Sequence, residues 1–157
     1  MAQPIFTVPK KGSSKLQPVN DHSARSKSLN SLIPAEGGFV KLDNLSDLMT
    51  NIWATMAVNG GLAPCWLWKS DASQAYRRLP MRPRWQIRQA SLIDSNYHVD
   101  QCAVFGNRAS GCIWCLFFGL VCWVAHHSLG IGDVLHYVDD AFCAAFNNDL
   151  SFYQPYN

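Results

Sequence analysis

Charge is scarce in this 157-residue sequence. Charged residues make up 15% of it and hydrophobic residues 48%, a balance that excludes an intrinsically disordered chain and leaves a single packed domain as the expectation. The scarcity is uneven. Residues 94–157 contain one Lys or Arg against six Asp, whereas residues 1–93 contain 12 Lys or Arg against five Asp or Glu. The net charge of +2 therefore conceals a basic half of +7 and an acidic half of −5. A chain that holds a polyanion in one place and divalent cations in another has this form, as does an unevenly charged solvated surface.

Long apolar runs are missing too. The most apolar stretch, CIWCLFFGLVCWVA at 112–125, is 14 residues, short of the ~20 that span a bilayer. It reads as a buried helix, with no membrane partner. The start, MAQPIFTVPKKG, has no apolar segment long enough for a secretory signal, which points to an intracellular site, cytoplasmic or nuclear. Without export, the six cysteines read as buried thiols rather than a disulfide framework. No internal repeat is present. The first 35 residues are poor in hydrophobic clusters, so their order is expected to depend on the rest of the fold or on a partner.

The elements that are present form an α+β pattern. IFTVP at 5–9 and the stretch around 16–19 read as strands joined by KKGSSK, a basic hairpin. Asp43 or Asn44 caps a helix whose apolar residues Leu45, Leu48, Met49, Ile52, Trp53 and Met56 share one face, and NGG at 59–61 ends it. LAPCWLW reads as a short buried strand that delivers Asp71 to its end. WQIRQ (85–89) and YHVDQCAVF (97–105) read as extended, and a helix follows from about Ala109 to His127. VLHYV and AFCAAF then flank the two aspartates, Asp139 and Asp140, as a hairpin. This order suits an antiparallel sheet with helices on one face.

HYVDD, at 136–140, places adjacent carboxylates between apolar segments, where burying a charge costs several kcal/mol unless it is paired. Asp139 and Asp140 either initiate a turn or hold a cation. Successive strand residues face opposite ways, so one of the two is expected to matter more, with Asp140 starting the turn. Asp71, three residues before Gln74, reads better, taken singly, as a capping box for a short helix ended by Pro80. Together, two strand-end carboxylate sites and a basic lobe have the layout of a two-metal phosphoryl-transfer centre. A competing reading places zinc on Cys112 and Cys115, with Cys122 and His126 or His127. Those thiols lie in an apolar helical run without the turn of a zinc knuckle, so buried cysteines describe them better.

With these residues in view, the chain resembles the reverse transcriptases of eukaryotic, especially fungal, retrotransposons. The resemblance runs from about Ile5 to Phe146 through VPKKGSSKLQPVNDHSARSKSLN, KSDASQAYRRLPMRP, FGNRASGCIW and HYVDD, in that order. It implies a partial fingers and palm, with fingers over 1–63 and palm over 64–157, and RNA-directed DNA synthesis. Asp71, Asp139 and Asp140 would be catalytic. They would bind two Mg²⁺ ions, with Mn²⁺ as a substitute, aided by the Ala72 carbonyl. Lys10, Lys15, Tyr76, Phe105 and Gly106 would contact the incoming deoxynucleoside triphosphate, Tyr76 as the aromatic gate against a ribose 2′-hydroxyl. Arg77, Arg78, Arg108 and Tyr137 would contact an RNA or DNA template–primer.

Three departures qualify the resemblance. Gln17 stands where the family usually has an arginine on the triphosphate, and Gly111 stands where it often has proline. Only 17 residues follow Asp140, so the sequence leads to the expectation of a fragment without thumb or later domains and with impaired turnover. The alternative is a non-catalytic retroelement remnant or nucleic-acid-binding module.

Overall fold

β-branched and aromatic residues in IFTVP and LQPVN pair where the sequence places them. In the computed structural model, which describes residues 2–24, 26–34, 40–58, 60–61 and 65–146, β1 (Ile5–Pro9) and β2 (Leu16–Asn20) form an antiparallel ribbon from Ile5↔Asn20 to Pro9↔Leu16. Pro9 and Pro18 are tolerated because a two-stranded ribbon leaves each strand an outer edge where no N–H is needed. The chain divides into two compact units, Met1–Val40 with Gln74–Trp114, and Lys41–Ser73 with Cys115–Asn157. Charge follows this division: the first unit carries 11 Lys or Arg against four acidic residues, the second two against seven.

In the second unit, α1 (Leu45–Val58) starts at a reciprocal cap. The Asn44 Oδ1 accepts the Ser46 amide at 2.7 Å, and the Asp47 Oδ2 accepts the Asn44 amide at 2.8 Å. Asn44 is thus the cap, while Asp43 accepts the His136 amide at 2.8 Å. Gly60 and Gly61 follow the helix with φ of +81° each, conformations that cost glycine little; Asn59 and residues 62–64 lie outside the described residues. β3 (Cys65–Asp71) is the next strand.

The first unit resumes with a 3₁₀ helix, Ala75–Arg78, preceded by Gln74 in the left-handed region with no side-chain cap. The capping box expected of Asp71 and Gln74 is therefore not formed: the helix begins four residues beyond Asp71. WQIRQ is not extended either. It divides between α2 (Pro83–Gln86) and a 3₁₀ turn, Ile87–Gln89, because Pro83 near the helix start fixes φ for helical entry and overrides the alternating pattern. Two strands follow it, β4 (Ala90–Ile93) and β5 (Asn96–Val99), joined through Asp94 and Ser95 at positive φ, the geometry of a tight hairpin turn.

α3 (Arg108–Leu129) is longer than the apolar run inside it. Its 22 residues make it long and apolar enough to cross a membrane by length and composition alone. The expectation of a buried helix holds for one face only. Ser110, Trp114, Cys115 and Cys122 are buried, whereas Leu116, Leu120 and Trp123 are more than half exposed. β6 (Leu135–Tyr137) and β7 (Asp140–Phe146) complete a three-stranded antiparallel sheet in the order β3, β7, β6. α1 packs against β7 and β3. Asn51 anchors it there: its Oδ1 accepts the Ala144 amide and its Nδ2 donates to the Asp133 carbonyl, both at 3.1 Å.

The interior of the first unit is unusually polar. His22, Ser28, Asn30, Gln89, Ser91, Asn107 and Ser110 are all buried. Most are paired: Gln89 Nε2 donates to the Cys102 and Asp100 carbonyls at 3.0 and 3.3 Å, and its Oε1 accepts from Asn107 at 3.3 Å. His22 differs. It is 1% exposed, and neither ring nitrogen has a hydrogen-bond partner, so burial disfavours its charged form and lowers its pKa below 6.5 against the opposing fields of Asp100 and Asp21. A group with a lowered folded pKa binds its proton more readily unfolded. Its contribution is fully present above pH 6.5 and is lost as pH falls from there towards the folded value. The urea midpoint is expected to drop between pH 7 and 5, and His22→Leu to flatten that drop. Identical pH profiles for the two proteins would rule His22 out as the cause.

Candidate metal centre

Asp71 ends β3 directly opposite Asp140, which starts β7; the register places Tyr137 opposite Asp140 on its other side. Val138 and Asp139 form the turn between β6 and β7, with Val138 at φ +55°. That region is costly for a β-branched residue, on the order of 1–3 kcal/mol. The turn closes against β3 through a hydrogen bond from the Ala72 amide to the Asp139 carbonyl, at 2.8 Å.

The result corrects the strand-face expectation. Asp140 does not begin the turn; it is the first residue of β7, and Asp139 sits in the turn itself. Because the turn breaks the alternation, both carboxylates converge. One carboxylate oxygen from each of Asp71, Asp139 and Asp140 lies within 4.8 Å of the other two.

Like charges placed opposite each other on paired strands repel. Here Lys69, two residues before Asp71 on the same strand face, places its Nζ 2.7 Å from Asp140 Oδ2. The Lys69 pKa is raised above its usual value, chiefly by this hydrogen bond, against an opposing desolvation and with the further fields of Asp140, Asp71 and Asp139. The cluster thus already draws a cation from its own chain. An all-oxygen donor set of three clustered carboxylates fits hard divalent cations, which take oxygen ligands and neutralise the repulsion. Lys69 is a participant that the sequence reading missed. Its i, i+2 spacing from a strand-end aspartate was the available signal.

The zinc grouping is not assembled. Among the described residues, the aspartate triad is the one place where three potential ligands converge. None of the six cysteines is in a disulfide, and burial raises the pKa of Cys122 and Cys143, as expected of inert core cysteines.

The other sequence-selected residues lie in the first unit. Tyr76 and Phe105 meet edge to face, with ring centroids 4.8 Å apart, and Phe105 is half exposed. Gly106, at φ +85°, packs so closely that an added Cβ would stand 2.8 Å from the Asn20 carbonyl oxygen. Arg77 pairs with Asp100, and Asp100 also accepts from Asn20. Arg108 donates through Nη1 to the Ile33 carbonyl at 3.0 Å. Arg78 is exposed. Lys10 and Lys15 are exposed at the ends of the hairpin loop, closed by the Lys10 amide to the Lys15 carbonyl at 3.0 Å. In the second unit, Tyr137 is exposed beside the triad. The side chain of Gln17 lies outside the described residues.

The chain has a partial reverse-transcriptase-like α+β fold. Its likeness to a foamy viral protease–reverse transcriptase bound to double-stranded DNA has a TM-score of 0.68 at 22% identity, covering 94% of this chain and 22% of that one. The same viral protein bound to an RNA/DNA hybrid matches with a TM-score of 0.62 at 20% identity over 91% of this chain and 16% of that one. A mutant of the prototype foamy virus protein gives 0.63 at 17%, over 91% and 16%. The chain spans less than a quarter of the length of these proteins. No protein-family model and no curated protein sequence matches it.

Proposed function

We propose that this chain carries the nucleotidyl-transfer centre of an RNA-directed DNA polymerase of retrotransposon type, with a fingers portion over 1–63 and a palm portion over 64–157. The observation that carries the reading is the convergence of Asp71, Asp139 and Asp140 at the end of an antiparallel sheet in a reverse-transcriptase-like fold. Asp71, Asp139 and Asp140, with the Ala72 carbonyl, would hold two Mg²⁺ or Mn²⁺ ions. When bound there, such ions supply charge neutralisation and acidify a coordinated primer hydroxyl.

The chain's own groups do the rest. Lys10 and Lys15 act as mobile point charges for the triphosphate. Phe105 and the close backbone of Gly106 flank the nucleotide, and the Tyr76 ring excludes a ribose 2′-hydroxyl. Arg77, Arg78, Arg108 and Tyr137 contact the template–primer, a duplex of the kinds bound by the structural neighbours, double-stranded DNA and RNA/DNA hybrid.

The test is dTTP incorporation on an oligo(rA)/oligo(dT) duplex by the purified chain with Mg²⁺ or Mn²⁺. Weak incorporation at most is the expected result, and any that EDTA and Asp139→Ala each abolish would support the enzyme reading. Salt-sensitive duplex binding with no incorporation under either metal would instead establish the non-catalytic nucleic-acid-binding reading.

A further inference from the structure

Asn30 ends the block VPKKGSSKLQPVNDHSARSKSLN and has no role assigned to it there, yet its side chain makes three hydrogen bonds. It is 7% exposed. Its Oδ1 accepts the Arg108 amide at 2.8 Å, and its Nδ2 donates to the Gly106 carbonyl at 2.7 Å and to the Ser23 hydroxyl at 2.9 Å. Its own amide donates to the His22 carbonyl at 3.0 Å. The carboxamide therefore spans the turn from Gly106 to Arg108.

The two principal bonds do different things. The bond from Arg108 satisfies one of the orphan amides at the start of α3, a task shared by Asn107, whose Oδ1 accepts the Ala109 amide at 2.9 Å. The bond to the Gly106 carbonyl contributes nothing to a helix end, because that carbonyl lies before the helix. It fixes the loop. An added Gly106 Cβ would stand 2.8 Å from the Asn20 carbonyl oxygen and 3.6 Å from His22 Cδ2, so Asn20 and His22 crowd the glycine whose carbonyl Asn30 holds. Phe105, next to it, sets the edge-to-face contact with Tyr76.

We propose that Asn30 is a positioning residue for deoxynucleoside triphosphate binding: by clamping the Gly106 carbonyl while capping Arg108, it orients Phe105, Gly106 and, through Phe105, the Tyr76 ring. The inference rests on the assignment of those three residues to the nucleotide. A positioning role separates from a structural one at Asn30→Asp. The carboxylate keeps an oxygen for the Arg108 amide and is favoured at a helix N-terminus. It has no N–H for Gly106, however, and sets a negative charge against that carbonyl.

The experiment uses the full chain with an oligo(rA)/oligo(dT) duplex, and measures melting, duplex affinity and dTTP affinity on wild type, Asn30→Asp and Asn30→Ser. The serine variant retains a capping oxygen without the reach to Gly106, and stands in should the aspartate variant fail to fold. The expected result is lower melting in both variants, more so for the buried carboxylate of Asn30→Asp, with duplex binding by the folded protein near wild type and dTTP affinity weakened roughly tenfold or more, as small misplacements of binding groups produce. Variants that fold and bind dTTP like wild type would overturn the inference and leave Asn30 a helix cap. Wild-type protein that binds duplex but no dTTP would overturn it together with the polymerase reading.

Discussion

Gly106→Ala is expected to lower stability by roughly 2–5 kcal/mol, the sum of a left-handed residue with a side chain, about 1–2 kcal/mol, and overpacking, about 1–3 kcal/mol. The first part follows from φ +85°, and the second from a Cβ placed 2.8 Å from the Asn20 carbonyl oxygen, a backbone atom that cannot swing aside. For a chain of this size the melting temperature should fall by roughly 5–15 °C. Gly130 supplies the control. It has φ +66° with nothing near an added Cβ, so Gly130→Ala carries only the conformational part. Equal losses for the two variants would show that crowding at Gly106 is not felt. The Gly106 variant also displaces the carbonyl that Asn30 holds, so any nucleotide affinity it retains must be read beside its melting curve.

The second large effect falls on the triad, and its sign depends on the metal. With EDTA present, Asp71→Asn should melt slightly above wild type, since it removes one charge from the Asp71–Asp140 cross-strand pair, a repulsion of about 0.2–1 kcal/mol. With Mn²⁺ the order reverses. A ligand at 100 times its Kd stabilises the native state by about 2.7 kcal/mol, and the variant, missing one of the three converging carboxylates, should lose most of that gain. Thermal melts with and without Mn²⁺ read both signs. A wild-type protein indifferent to Mn²⁺, or a variant that gains as much as wild type, would remove the metal from the account of this cluster.

Much of the second unit was legible in the sequence because its signals are local. The i, i+3, i+4 stripe from Leu45 to Met56 gives α1, and the paired runs around HYVDD give the hairpin. The convergence of Asp139 and Asp140 was not legible, because it depends on Val138 adopting a conformation that sequence pattern counts against. Asp71 is ambiguous for a related reason: cap and metal ligand share a residue type, and only the register with Asp140 decides. In the first unit the interior is built from Asn30, Gln89, Ser91 and Asn107, joined by Asn20 at its edge, polar residues with partners as far as 80 positions away along the chain. Hydrophobic periodicity carries no trace of such a core, and WQIRQ misleads because its alternation is weaker than the helical entry set by Pro83.

The turn at Val138 ties chemistry to cohesion. A valine at φ +55° is held there in part by the pairing of β6 and β3 with β7, which keeps both ends of the turn in register. If the ladder frays near Tyr137 or Asp71, the residue relaxes to a right-handed conformation at no cost and carries Asp139 away from its two neighbours. The triad therefore has no half-open form. On heating it is expected to disperse ahead of the loss of α1 and the remainder of the sheet, so the site would fail earlier than the fold that carries it.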